Sequence, residues 1–349
     1  MIFFAEAKRL FLNRRMLAAV LLLLLVSLLW TKTQVDNTFL FQTGEAEYLH
    51  YCEKWQGDFT ESKQEEIERE AAFLESTLAK RQENEKLYEQ GKMSREDYTA
   101  YLGDVNYAET YSTGFDRFYQ QYQRVLAHSE NGEATRPKFL YDSYWNELFK
   151  NYPTVLLLLL FVFAIVPFVV SDYASDMWRI VKPTRKGLRK LLLVRLSVAL
   201  LFCVLVQSLL SAAQYALMAG AYRLDLSNYP VQSLDLFQNL QQAGSLAQYY
   251  ILLSLYRMLF SIGLCIIIFS ASLLLKNLML SIGITMGTAL LPMASKTFAY
   301  AVYLYSPISG LYVNDLIAYQ AGPVKFIVTL VGYGAAAMLL LISALKIRG

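Results

Sequence analysis

The chain has 349 residues, of which 55% are apolar, and a formal charge of only +3. So large an apolar share exceeds what a soluble core uses and points to a lipid bilayer, while the small charge conceals a segregation: residues 32 to 150 hold 14 basic and 23 acidic residues, a net of −9, which leaves +12 for the rest. That split makes nucleic-acid binding an uneconomical account of the basic half and suits one domain in outside water beside short loops held at a cytosolic face by Lys and Arg.

In chain order, Ile2 to Asn13 sets Phe3, Phe4, Leu10 and Phe11 against Glu6, Lys8 and Arg9, the pattern of an amphipathic helix resting flat on the inner leaflet. Leu17 to Trp30 is the first apolar run. Its basic lead and Leu-rich body lack a small-residue cleavage pattern, so it reads as a retained signal anchor.

The polar insert that follows reads as a helical hairpin resembling a coiled coil. Ile67, Ala71, Leu74, Leu78, Glu85 and Tyr88 form the seam of one arm, Gly91 stops it, and Ser94 with Asp97 starts the next as a capping box. The second seam is Tyr98, Tyr101, Val105, Ala108, Phe115, Tyr119, Tyr122 and Leu126, with a bend expected at Gly103 or Gly114. The eleven tyrosines between Thr31 and Asn151 read either as seam residues or as a recognition surface for cationic amphipathic peptides. Of the three cysteines only Cys52 lies in this insert, so no disulfide framework can be drawn. His50 and His128 stand without companions at ligand spacing, and no metal is expected.

Further runs long enough to cross a hydrocarbon layer of about 30 Å are Val155 to Val170, Leu191 to Met218, Met258 to Leu275, Leu278 to Met293 and Val324 to Leu345. Six spans with both termini inside place Lys8, Arg9, Arg14 and Arg15, then the basic run from Arg179 to Arg195, then Lys276, Lys346 and Arg348 on the cytosolic side. Phe298 to Tyr312 is aromatic but broken by Pro307 and Gly310, and is expected to form a re-entrant pair in the outer leaflet before the sixth span. Gln207 and Gln214, seven apart, share a face of the third span as interhelical glue or as substrate contacts. Ser281, Thr285 and Thr288 make a mild polar stripe on the fifth, read as packing or as part of a substrate path. Arg257 is read at the outer end of the fourth, snorkelling to the interface.

After the second span the sequence runs from Ser171 and Asp172 through Ser175, Asp176, Met177, Trp178 and Arg179 to Thr184, Arg185, Lys186, Gly187 and Lys190. This resembles the cytosolic loop of type-2 ABC exporter permeases, in which an acidic residue, a Ser-Gly-Met-like stretch and a short helix precede a Thr-basic-basic-Gly-Arg turn. Asp176 stands where Gly is usual, and Leu188 where Arg is usual. The resemblance extends to the layout of interfacial helix, first span, large outer insert, second span, basic loop and four more spans. It implies a dimer of six-span subunits, homomeric or heteromeric, served by two cytosolic ATPase subunits. On that resemblance Asp172, Asp176, Trp178, Arg179, Arg185 and Lys186 would dock the ATPase.

The expected fold is therefore an all-α polytopic membrane protein in three parts: residues 1–31 as elbow helix and first span, 32–150 as an extracellular helical domain, and 151–349 as five spans with a coupling loop at 171–190. The expected place is a bacterial inner membrane. No G-x-x-x-x-G-K-[ST] run occurs, so ATP and Mg are expected on the partner, and the chain itself is expected to be neither enzyme nor cofactor binder. The spans lack the midplane carboxylates that ion-coupled transport uses. Outward movement of a hydrophobic or amphipathic cargo, a peptide or a lipid-like compound, is the leading expectation; a non-transporting machine that pulls on or senses an envelope partner is the alternative.

Overall fold

The computed structural model describes residues 2–130, 137–174, 185–222, 224, 226–237, 244–294 and 323–348. Among them the chain is helical, with isolated bridges at Gly57 and Phe139 and at Pro230 and Ser245 as its extended pairings. The helices are α1 (Ile2–Phe11), α2 (Arg14–Phe41), α3 (Glu45–Lys54), α4 (Glu61–Ala79), α5 (Arg81–Glu89), α6 (Arg95–Glu130), α7 (Ser143–Lys150), α8 (Thr154–Ala174), α9 (Arg185–Tyr222), α10 (Leu246–Leu275), α11 (Leu278–Ala294) and α12 (Pro323–Arg348). Two compact units result: an apolar one of Met1–Thr31, Leu148–Arg223 and Tyr250–Gly349, and a polar one of Lys32–Glu147 and Leu224–Tyr249.

Four stretches, lying mainly in the apolar unit, are long and apolar enough to cross a membrane: α2, Ser143–Ser171, Arg189–Tyr222 within α9, and α10. The described parts of α11 and α12 contribute the shorter apolar stretches Leu278–Gly287 and Val331–Lys346. Several helices outrun the hydropathy windows. α2 continues past Trp30 to Phe41, and α10 begins at Leu246 rather than at Met258, because helical hydrogen bonding does not stop where apolar side chains do. Leu21, Leu22, Leu25 and Leu29 of α2 are exposed, as a lipid-facing stripe requires.

α1 packs along α9. Leu10 is buried and Phe11 meets the Phe202 ring edge-on at 5.6 Å, whereas Phe4 stays 77% exposed. The expected amphipathic helix forms, with part of its apolar face spent on protein contact. α10 approaches α12 at Gly263, where an added Cβ would lie 2.6 Å from Tyr333 Cε1. The tight turn into α11 uses Lys276 at φ 56° and Asn277, whose Oδ1 accepts from Leu280 N at 3.1 Å. The segment Phe298 to Tyr312 lies outside the described residues.

In the polar unit α6 pairs with α4 and α5 as the expected hairpin, Gly91 turning at φ 67° and Ser94 Oγ capping Asp97 N at 3.1 Å. A third partner, α3, also packs on α6, which the two-seam pattern does not anticipate. Gly114 explains the closeness: a Cβ there would lie 2.5 Å from Glu47 Cβ and 2.6 Å from Tyr48 N. Its role is close approach rather than a bend, and α6 runs unbroken through both Gly103 and Gly114. The core joins Tyr51, Trp55, Ile67, Leu74, Phe115, Phe118 and Phe139, with Tyr51 stacked on Trp55 at 5.4 Å. Residues 224–249 belong to this unit as well: Lys138 N donates to Ser233 Oγ at 2.9 Å, and Arg124 meets Asp235 at 2.5 Å.

Candidate functional site

The tyrosines of the polar unit are mostly structural. Tyr48 donates to Asp142 at 2.8 Å, Tyr51 and Tyr107 to Glu70 at 3.0 and 2.8 Å, Tyr122 to Glu68 at 2.8 Å and Tyr141 to Glu45 at 2.5 Å. A ring thus fills the core while its hydroxyl reaches one of the acidic residues that give the unit its charge. Glu45 is buried and also accepts from Arg117 and Ser143. The Cys52 thiol is held well above its ordinary range by burial, then by the Asp142 charge, and is suited to packing rather than to reaction.

The apolar unit gathers a different set. Gln207, Ser211 and Gln214 lie at four- and three-residue steps on one face of α9, which the 3.6-residue period aligns. Gln207 and Gln214 are each 1% exposed. Gln207 Nε2 donates to Ser211 Oγ at 3.3 Å, and its Oε1 accepts from Ser261 of α10 at 3.3 Å. Gln214 Nε2 reaches Thr31 Oγ1 of α2 at 3.1 Å and the Asn151 carbonyl at 3.3 Å. Tyr250 of α10 donates to the Ser211 carbonyl at 2.8 Å. Each glutamine therefore ties α9 to another segment, the bonding expected of interhelical glue in an apolar medium.

Arg257 lies one turn before Ser261, the α10 partner of Gln207. It lies about three turns inside α10 and is 1% exposed, so it does not snorkel from a helix end. Its Nη2 donates to the Phe149 carbonyl at 3.3 Å, and its guanidinium lies 4.1 Å from the centre of the Tyr152 ring. Nε and Nη1 have no hydrogen-bond partner, and no carboxylate pairs with it among the described residues. A buried cation without a counter-ion is costly, and a desolvated ring returns only about 2 kcal/mol. Such a group makes this the candidate site of the apolar unit.

The remaining residues anticipated for function fall elsewhere. Ser281 and Thr285 are buried in α11, which packs on α8, and Thr285 Oγ1 donates to the Ser281 carbonyl at 2.6 Å. Thr288 is in α11, but its side chain lies outside the described residues. Asp172 is in the last turn of α8, and Arg185 and Lys186 open α9, again without described side chains; Asp176, Trp178 and Arg179 lie outside the described residues altogether. Tyr152, Tyr250 and Ser261 were missed. The signal was present, since Tyr250, Ser254, Arg257 and Ser261 fall at helical spacing, but a hydropathy window opening at Met258 cuts the face in two. No family model, curated protein or solved structure matches the chain.

Proposed function

We propose that this chain is the membrane-spanning subunit of an ATP-binding cassette exporter, a six-span protein with both termini cytosolic and residues 32–150 outside a bacterial inner membrane. It works as a dimer and moves a hydrophobic or amphipathic cargo outward on ATP hydrolysed by a separate cytosolic subunit. What supports the reading, beyond the resemblance of residues 171–190, is the set of buried polar side chains Arg257, Gln207 and Gln214 on α9 and α10. It is a polar site inside an otherwise apolar unit, and it offers guanidinium donors without an acidic pair to carry a coupling ion.

On this reading Arg257 Nε and Nη1 hold a carbonyl or anionic group of the cargo, the glutamines set the spacing of the surrounding helices, and the segment from Asp172 to Lys190 transmits the ATPase's motion. A side chain such as Trp178 is the kind of anchor whose loss costs a small interface about 2 kcal/mol or more. Copurification with an ABC ATPase encoded beside the chain, followed by cargo-stimulated hydrolysis, tests the proposal. Trp178→Ala should weaken association and abolish stimulation; full association and coupling in that variant would remove the docking role and the resemblance's main support.

A second reading, a mechanical or sensing machine, draws on the burial of Tyr48, Tyr51 and Tyr122 in the core of the polar unit. Rings committed to packing stiffen a lever more than they recognise a peptide. ATP hydrolysis that alters an envelope partner while no candidate cargo is moved would favour it.

A further inference from the structure

A cavity of about 360 Å³ lies where α1, the start of α2 and α8 meet, within the size range of small-ligand sites, about 300–1,000 Å³. Its polar wall is Arg9, Asn13, Arg15 and Ser171, and its apolar wall includes Met16, Phe163 and Pro167. Phe163 is an exposed residue of α8, so the apolar wall continues onto a face available to acyl chains. The polar wall is held in place from behind. Arg9 Nη2 donates to Ser171 Oγ at 2.5 Å, and Asn13 Oδ1 accepts the Arg15 amide at 3.0 Å. Glu6 is engaged at 3.1 Å by the buried Arg195 and stands 3.7 Å from Arg9. The side chains of Arg9 and Arg15 thus place two guanidiniums on the cavity wall.

We propose that this cavity binds the phosphate of an anionic phospholipid headgroup. Arg9 and Arg15 supply planar, multi-donor guanidiniums and Asn13 an amide donor, while Phe163 and Met16 border the first carbons of the acyl chains. The position fits: an amphipathic helix in the interface, followed by a helix that enters the hydrocarbon, sets these groups at headgroup depth. The bound lipid would pin α1 between α2 and α8. The inference rests on α2 and α8 lying in a bilayer and on nothing else in the transport proposal, so it stands or falls without reference to ATP hydrolysis.

The test is native mass spectrometry of the purified full chain in detergent, with phosphatidylglycerol or phosphatidylcholine of identical acyl chains added in equal amount. Phosphatidylglycerol should be retained preferentially. Arg15→Gln, at an exposed position, should lower that retention about fivefold, while Arg14→Gln, whose side chain does not line the cavity, should leave it unchanged. Thermal melting of both variants checks that the fold is intact. Equal retention of the two lipids would overturn the proposal, as would equal losses in the Arg14 and Arg15 variants, since either indicates only a diffuse basic surface. Displacement by inorganic phosphate at concentrations matching the lipid would overturn the lipid as the source of the phosphate.

Discussion

Two arginine sites, one half-buried in the polar unit and one buried in the apolar unit, are built on opposite terms. In the polar unit Arg117 lies over the Tyr48 ring at 4.2 Å, bonds to the buried carboxylate of Glu45, and donates to Ser143 at 2.9 Å. In the apolar unit Arg257 also lies over a tyrosine ring, yet it reaches a single carbonyl and leaves Nε and Nη1 without partners. The same residue with the same aromatic neighbour is thus a completed structural joint in one place and an incomplete one in the other. Burial by itself does not mark a functional residue. A buried donor set that the fold leaves unsatisfied makes a candidate, because the fold bears its desolvation cost without recovering it.

The comparison can be broken most forcefully at Glu45. Glu45→Ala leaves Arg117 with Asp142, 3.6 Å away, as its remaining carboxylate and removes the acceptor of Tyr141 and Ser143, so chemical or thermal unfolding should register a loss of about 2–4 kcal/mol. A loss under about 1 kcal/mol would mean that the joint is not structural after all.

Packing on α6 gives the next largest effect, and it comes as a contrast within one helix. Gly114→Ala must push α3 away from α6 and should cost about 1–3 kcal/mol. Gly103, with nothing within 4 Å of an added Cβ, should accept Ala with a gain of up to about 1 kcal/mol. Melting curves for the two variants that moved in the same direction would contradict the close approach assigned to Gly114.

Arg257→Leu sharpens the comparison from the other side. Replacing an uncompensated buried cation with a similar apolar volume should leave the melting temperature unchanged or slightly raised, while, under the proposed transport role, cargo-stimulated hydrolysis by the partner ATPase falls at least about tenfold. A marked drop in stability would instead make Arg257 as structural as Arg117.

The smallest effect concerns pH. Hydrogen bonds to Glu68 from Gln64 first and Tyr122 second hold its carboxyl below the usual range. A carboxyl depressed in the folded state contributes stability that is present above its unfolded pKa and is lost as pH falls through the folded value. Glu68→Gln should therefore flatten, slightly, the acid limb of the stability profile. An unchanged acid limb would show that these bonds are too exposed to matter.

Where the sequence was legible, local chemistry was sufficient. The all-helical character, the apolar runs, the amphipathic α1, the Gly91 turn and the Ser94 cap each follow from spacing or from a residue's own conformational preference, and each stands in the structure. Helix ends were less legible, because hydropathy reports the solvent a side chain prefers rather than the reach of a backbone ladder. That is why α10 begins at Leu246 and why Arg257 moves from an imagined margin to a buried position.

Contacts between distant segments could not be read from the sequence at all. The docking of α3 on α6, the inclusion of residues 224–249 in the polar unit, and the meeting of Gln207 with Ser261 and of Tyr152 with Arg257 join distant positions, as far apart as the 111 residues between Arg124 and Asp235. No periodicity spans such separations. Sequence by itself determined which faces are apolar and where turns are cheap; only tertiary packing decided which face meets which, and therefore which polar groups are satisfied and which are left to bind.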